Sequence, residues 1–171
     1  MIISHVVEKV EIQLEATRHL TERLIIIAGP ASSGKTVTLR ALNLKHGWPL
    51  INVGLAVTER LLELPDKERA FRTEKILSEI IKGHAGNVVL LDNLEILFLP
   101  TLEQNPVRLL QSLARGRGIV ATWHGCFKGR VLSYASPADR EHQHFTMPRS
   151  GGAAVVSISS SESAVSRQGD F

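Results

Sequence analysis

Eight consecutive residues, GPASSGKT at 29–36, set two glycines, a lysine and a hydroxyl side chain at the spacing that wraps a backbone around phosphate groups. Gly29 and Gly34 allow the chain close to anionic oxygens, so that several N–H groups converge on them, and Pro30, Ala31, Ser32 and Ser33 form the turn between. Lys35 is spaced to reach the outer phosphates of a nucleoside triphosphate, and Thr36 offers a hydroxyl oxygen to Mg²⁺. Val37 continues into a helix whose first turn presents the positive end of its dipole to the same anion. Binding of a Mg–nucleoside triphosphate is the chemistry this pattern predicts. No N-K-x-D base-reading motif of the G-protein type occurs, which favours ATP.

Such chemistry needs a carboxylate across from the loop. VVLLDNLE at 88–95 supplies Asp92 directly after four apolar residues, which puts it at the carboxyl end of a buried strand and next to the metal; the bland alternative is an Asp that caps a turn. A second carboxylate, able to take the proton of an attacking water, often follows at once, but here Asn93 stands in that place. Glu95 is the nearest carboxylate in the chain, and two readings stay open for it: a catalytic base turned inward, or a solvated loop residue. IVATW at 119–123 ends in Thr122, Trp123 and His124. Thr122 is expected to touch the γ-phosphate or its water, against the alternative of a Thr selected for strand propensity. Arg140 and Arg149, and also Arg115 and Arg117, are candidates for the arginine that stabilises a transferring phosphoryl group. The cluster Lys67, Arg69, Arg72 and Lys75 reads as a wet helix face that is able to meet a nucleic-acid backbone.

Strands and helices that alternate along the chain must position these residues. Apolar runs at 24–28, 49–53, 88–91, 119–123 and 153–159 read as strands. Helical spacing covers 4–22 with Val6, Val10, Leu14 and Leu20 inward, then about 34–46, 58–64 and 66–83 with Phe71, Leu77, Ile80 and Ile81 inward, and about 101–115. Gly47 and Pro65 supply stops. The segment 127–145 reads as irregular or partly helical. Fully apolar strands between helices imply a parallel sheet covered on both faces, so the expected fold class is α/β with about five strands. One domain is expected over 1–160, opening with a helix within 1–23, followed by a polar, fraying tail at 161–171. No internal repeat is visible.

The composition agrees with this frame. With 43% hydrophobic residues among 171 the chain can bury a core, and with only 5% aromatic that core must be mainly aliphatic. The apolar runs are too short to span a bilayer, and Glu8, Glu11 and Glu15 interrupt any secretory signal core, so no membrane association is expected. A single cysteine, Cys126, allows no internal disulfide and no thiolate-rich metal site, and points to the reducing cytoplasm. The net charge of +3 permits nucleic-acid contact without requiring it.

Strand, phosphate loop, helical insertion, D-N-x-E and a polar strand end in ATW resemble the P-loop NTPase core of AAA+ and related STAND ATPases over roughly 20–160. The segments NVGLAVTERLLELP (52–65), VVLLDNLEILFLPTLEQNPVRLLQSLARGRGIVATWHG (88–125) and LSYASPADRE (132–141) also resemble the BrxF family, the small P-loop proteins of type 3 bacteriophage-exclusion (BREX) systems. That resemblance implies a cytoplasmic bacterial ATPase within a multi-protein defence system that distinguishes host from phage DNA. It places Lys35 and Thr36 at the Walker A positions, Asp92 at the Walker B acid and Thr122 at the sensor position. No helical lid with its arginine is expected after the last strand, so closure over nucleotide falls to a second copy or another component, and nucleotide-dependent homo-oligomers follow as an expectation. Two other functions remain open: a small-molecule phosphotransferase, and a non-hydrolysing module in which nucleotide only fixes an assembly surface.

Overall fold

The computed structural model describes residues 2–135, 140, 142–148 and 151–159. Five strands form the expected parallel sheet: β1 (Leu24–Gly29), β2 (Leu50–Asn52), β3 (Val88–Asp92), β4 (Gly118–Lys128) and β7 (Ala153–Ser157), in the order β2-β3-β4-β1-β7. Every residue of β1 is buried, as a central strand covered on both faces must be. Its side chains alternate between two cores. Leu24, Ile26 and Ala28 join the core under α3 (Val53–Leu61), α4 (Asp66–Lys82) and α5 (Pro106–Leu113). Ile25 and Ile27 join the core under α1 (Ile2–Ala16) and α2 (Lys35–His46).

The helices begin and end where side chains satisfy free backbone groups. The Asn52 side chain accepts from Leu55 N at 3.1 Å, so α3 starts at Val53, five residues ahead of the 58–64 expected from spacing alone. The Asn105 side chain accepts from Arg108 N at 3.1 Å and Pro106 takes the first helical position, so α5 is shorter than the expected 101–115. Two 3₁₀ turns, Glu95–Phe98 and Pro100–Leu102, lie between β3 and α5. The first helix ends at Ala16 rather than near 22, where the Thr17 hydroxyl donates back to Gln13 O at 2.9 Å; Leu20 lies beyond it and is partly exposed. Phe71, expected inward on α4, is 72% exposed, because the buried stripe of that helix runs through Thr73, Ile76, Leu77 and Ile81.

The largest departure concerns 127–145. β4 does not stop at Trp123 but continues to Lys128, and there it pairs antiparallel with β5 (Val131–Tyr134), which pairs in turn with β6 (Gln143–Thr146). The sheet therefore has seven strands, five parallel and two in an antiparallel annex. Phe98, Trp123, Tyr134 and Phe145 pack ring against ring beneath this annex, with Phe98 stacked on Tyr134 at 3.6 Å between centroids. Half of the eight aromatics in the chain are gathered here, which is why aliphatic periodicity does not reveal it. Among the described residues no helix is long and apolar enough to cross a membrane. The tail at 161–171 lies outside the described residues, as does any answer on a helical lid beyond Ser159.

Candidate nucleotide site

β1 ends at Gly29 and α2 begins at Lys35, so the loop between them spans the carboxyl edge of the sheet. A Cβ on Gly29 would lie 2.6 Å from Ser33 Oγ and 3.0 Å from Ile158 O, so only glycine lets the loop fold back this tightly. Gly34 takes φ +98° and Ser32 φ +57°, the left-handed turns that aim successive N–H groups into one concavity. The side chain of Ile3, from α1, rests on Gly34, so the first helix braces the loop from behind.

Lys35 Nζ donates to Gly29 O at 2.8 Å, to Pro30 O at 2.5 Å and to Ser33 Oγ at 3.4 Å, which holds the ammonium across the mouth of the loop. Its partial burial lowers the pKa from the usual lysine value, while the negative charges of Glu95 and Asp92 oppose that fall. Thr36 Oγ1 donates to Asp92 Oδ2 at 2.9 Å. The other carboxylate oxygen, Oδ1, accepts from Thr122 Oγ1 at 2.6 Å and from Asn93 N at 3.0 Å. Strand order explains this convergence. β4 lies between β1 and β3, so Thr122, in register with Ile27, stands between the loop and the acid, and it is nearly fully buried. Asp92 and Thr36 together offer a carboxylate and a hydroxyl, the hard oxygen donors that suit Mg²⁺ with water completing its shell. Among the described residues no three His, Cys, Asp or Glu side chains gather as a metal cage.

Asn93 adopts φ +60°, a conformation that asparagine tolerates better than most residues. Its Nδ2 donates to Asn52 Oδ1 at 3.0 Å and its carbonyl accepts from Gly54 N at 2.9 Å. The side chain in the place of the expected base thus ties the tip of β3 to the start of α3. Glu95 is exposed on the first 3₁₀ turn, where its charge reaches Lys35, and it lines a cavity together with Arg140 and His142. Arg115 and Arg117 are not brought to the site. They flank the start of β4, at the opposite end of the sheet, where Arg117 donates to Ile81 O at 2.7 Å. Arg149 lies outside the described residues. Within the basic cluster on α4, Arg69 donates to Leu61 O at 3.0 Å and pairs with Asp66 at 2.9 Å, so this cation ties α4 to the end of α3. His124 sits in register with Gly29, its ring nearly perpendicular to that of Tyr134. Asn52, Gln104, His142 and Gln143 also border the site or its cavity; the cap position before α3 is the one signal in the sequence that points to any of them.

This is the nucleotide-binding P-loop NTPase fold: a phosphate loop between the first strand and its helix, with an acidic strand tip opposite. No family model matches the chain. It is 28% identical to cytidylate kinase of Chlorobaculum tepidum across 85% of its own length and 75% of that protein. Among solved structures it resembles PCH-2 of C. elegans with a TM-score of 0.40 and 18% identity, over 92% of this chain and 41% of the PCH-2 chain, so it spans about two-fifths of that protein.

Proposed function

We propose that the chain is a magnesium-dependent ATPase that works as a nucleotide-driven switch in the cytoplasm, within a BREX-type bacteriophage-exclusion system whose other components and DNA are its partners. One observation carries the catalytic part: a single carboxylate, Asp92, takes a hydroxyl from the loop helix on one oxygen and a hydroxyl from the intervening strand on the other. Lys35 and the N–H groups of the loop bind and orient the triphosphate. Thr36 and Asp92 would hold Mg²⁺, which neutralises charge that develops on the phosphate oxygens. Thr122 aligns what approaches the γ-phosphate. In hydrolysis the water oxygen bonds to the γ-phosphorus, the bond to the ADP oxygen breaks, and the water proton passes to Glu95. Asn93 has no basicity for that step and its amide is engaged elsewhere, so slow turnover is expected. Arg140 lines a cavity together with Glu95, which supports its role as the arginine that stabilises the transferring phosphoryl group. The segments that resemble the BrxF family support the defence role and nucleotide-dependent self-association.

Lys35→Ala tests the reading: it should abolish ATP binding and turnover. In the native protein, ATP analogue with Mg²⁺ should shift the sedimentation coefficient relative to ADP. Undiminished turnover in Lys35→Ala would remove the assigned site, and unchanged sedimentation would remove the assembly.

The identity to cytidylate kinase favours a second reading, transfer of the γ-phosphoryl group to a small acceptor. ADP release that rises with added cytidine monophosphate, and not with DNA, would select it.

A further inference from the structure

The antiparallel annex carries side chains that the nucleotide site does not use. Register sets Cys126, Ser133 and His144 side by side across β4, β5 and β6, and His142 stands two residues before His144. Alternation along the strands divides the annex into two faces. Leu132, Tyr134 and Phe145 turn toward the aromatic cluster, whereas Cys126 and His144 are exposed on the opposite face. A residue spacing of two puts His142 on that outer face as well.

The His142 and His144 rings stand nearly perpendicular, at 87°, and their Nε2 atoms lie 2.8 Å apart. The second nitrogen of each ring faces elsewhere: His144 Nδ1 meets Ser133 Oγ at 3.2 Å, and His142 Nδ1 is buried. Two bare Nε2 lone pairs at this distance repel, so either a hydrogen or a metal ion belongs between them. Nitrogen donors about 2.0–2.1 Å from a metal lie about 2.9 Å apart at a right angle and about 3.3 Å apart at a tetrahedral angle. The observed spacing is that of neighbouring corners of a square-planar ion, which favours Cu²⁺ and Ni²⁺ over tetrahedral Zn²⁺. In the metal-bound pair each ring carries its hydrogen on Nδ1, and Ser133 Oγ accepts that of His144, the outer contact that fixes a ligating imidazole. Among the described residues no third His, Cys, Asp or Glu joins the pair, and β6 pairs with β5 alone, so its open edge leaves room for water on the ion.

We propose that His142 and His144 form a two-donor site for a divalent transition-metal ion of the Cu²⁺ or Ni²⁺ type, with water in the remaining positions. The site does not rest on the nucleotide reading, and Mg²⁺, which takes oxygen donors, does not compete for it. An ion bound there ties the residue before β6 to the strand itself, so occupancy stabilises the folded annex.

Calorimetric titration of the tag-free full chain with Ni²⁺ tests the site, with circular dichroism as the check that each variant folds. Native protein should bind Ni²⁺ with a Kd of about 100 µM or lower, Cu²⁺ more tightly and Mn²⁺ more weakly. His142→Gln and His144→Gln should each weaken Ni²⁺ binding at least about tenfold, and Ser133→Ala about tenfold. Lys35→Ala and Cys126→Ser should leave it unchanged. Where a histidine variant does not fold, electron paramagnetic resonance of copper-loaded Cys126→Ser protein gives the same answer, since the ion should show two imidazole nitrogens. No binding up to about 1 mM Ni²⁺ would overturn the proposal. So would native affinity in both histidine variants, a copper spectrum without two imidazoles, or loss of Ni²⁺ in Cys126→Ser, which would place the ion on the thiol.

Discussion

Asp92 has two oxygens and the fold spends both. Thr36 holds one and Thr122 holds the other, so the acid is oriented from helix α2 on one side and strand β4 on the other before any metal approaches. Asp92→Asn keeps the shape and a hydrogen-bonding oxygen but removes the charge a divalent cation needs. It should lower Mg²⁺-dependent hydrolysis at least about a hundredfold, comparable with loss of a main electrostatic stabiliser, while metal-free nucleotide binding persists. Thr122→Val removes the hydroxyl without changing the volume much, and should cost turnover about tenfold or more with a smaller effect on nucleotide affinity. Steady-state kinetics at varied Mg²⁺ separates these outcomes. Equal loss of metal-free binding in Asp92→Asn would show that the residue holds the loop and not the metal. Asn93 has a different use. Its left-handed backbone and its bond to Asn52 serve the turn, and the sequence shows only that a carboxylate is absent there.

At the scale of elements, the brace between α1 and α2 keeps the loop helix in place. Glu11 accepts from Lys45 at 2.7 Å and meets His46 at 2.6 Å, and the His46 ring stacks on Trp48. The hydrogen bond from Lys45, with help from His46, lowers the Glu11 pKa against the partial burial that raises it. A depressed carboxyl pKa stabilises the fold above the unfolded-state value, and this contribution is lost as pH falls through the folded-state value. Glu11→Gln should therefore lower stability at pH 7 by about 0.5–1 kcal/mol, a Tm change of about 1–4 °C. The difference from native protein should fade as the solution is acidified below the carboxyl range. Thermal melts across pH check this, and a deficit that persists in acid would assign the effect to packing instead. Element boundaries were legible in part. Gly47 and Pro65 mark ends by their own chemistry, whereas the starts of α3 and α5 at the Asn52 and Asn105 caps, the end of α1 at Ala16 and the outward Phe71 came only with the folded backbone and the face that meets the sheet.

For the whole molecule, the loop is held by segments far apart in the chain. Ile3 rests on Gly34, and the backbone after β7 passes Gly29, where Ile158 N donates to Ala28 O at 2.8 Å. Nucleotide that binds only the folded chain should stabilise all of it together. At a hundred times its dissociation constant, Mg–ATP should add about 2.7 kcal/mol, which for a chain of this size raises Tm by roughly 5–10 °C in one cooperative transition. Calorimetry that showed no shift at saturating Mg–ATP would contradict this.

The phosphate loop, Asp92, Thr122 and the alternation of strand and helix were readable from the residues. Each is local: a motif of eight positions, a polar residue at the end of an apolar run, a period of 2 or 3.6. Only the tertiary structure decided that β4 lies between β1 and β3, that it runs on into an antiparallel annex, and that the annex meets the turn of Glu95 around a cavity. Those are pairings between segments far apart in the chain, and strand partners are selected by burial and register across the whole sheet. It also sent Arg115 and Arg117 to the far end of the sheet from the loop, because the end of a strand on which a side chain falls depends on the direction in which that strand is laid down.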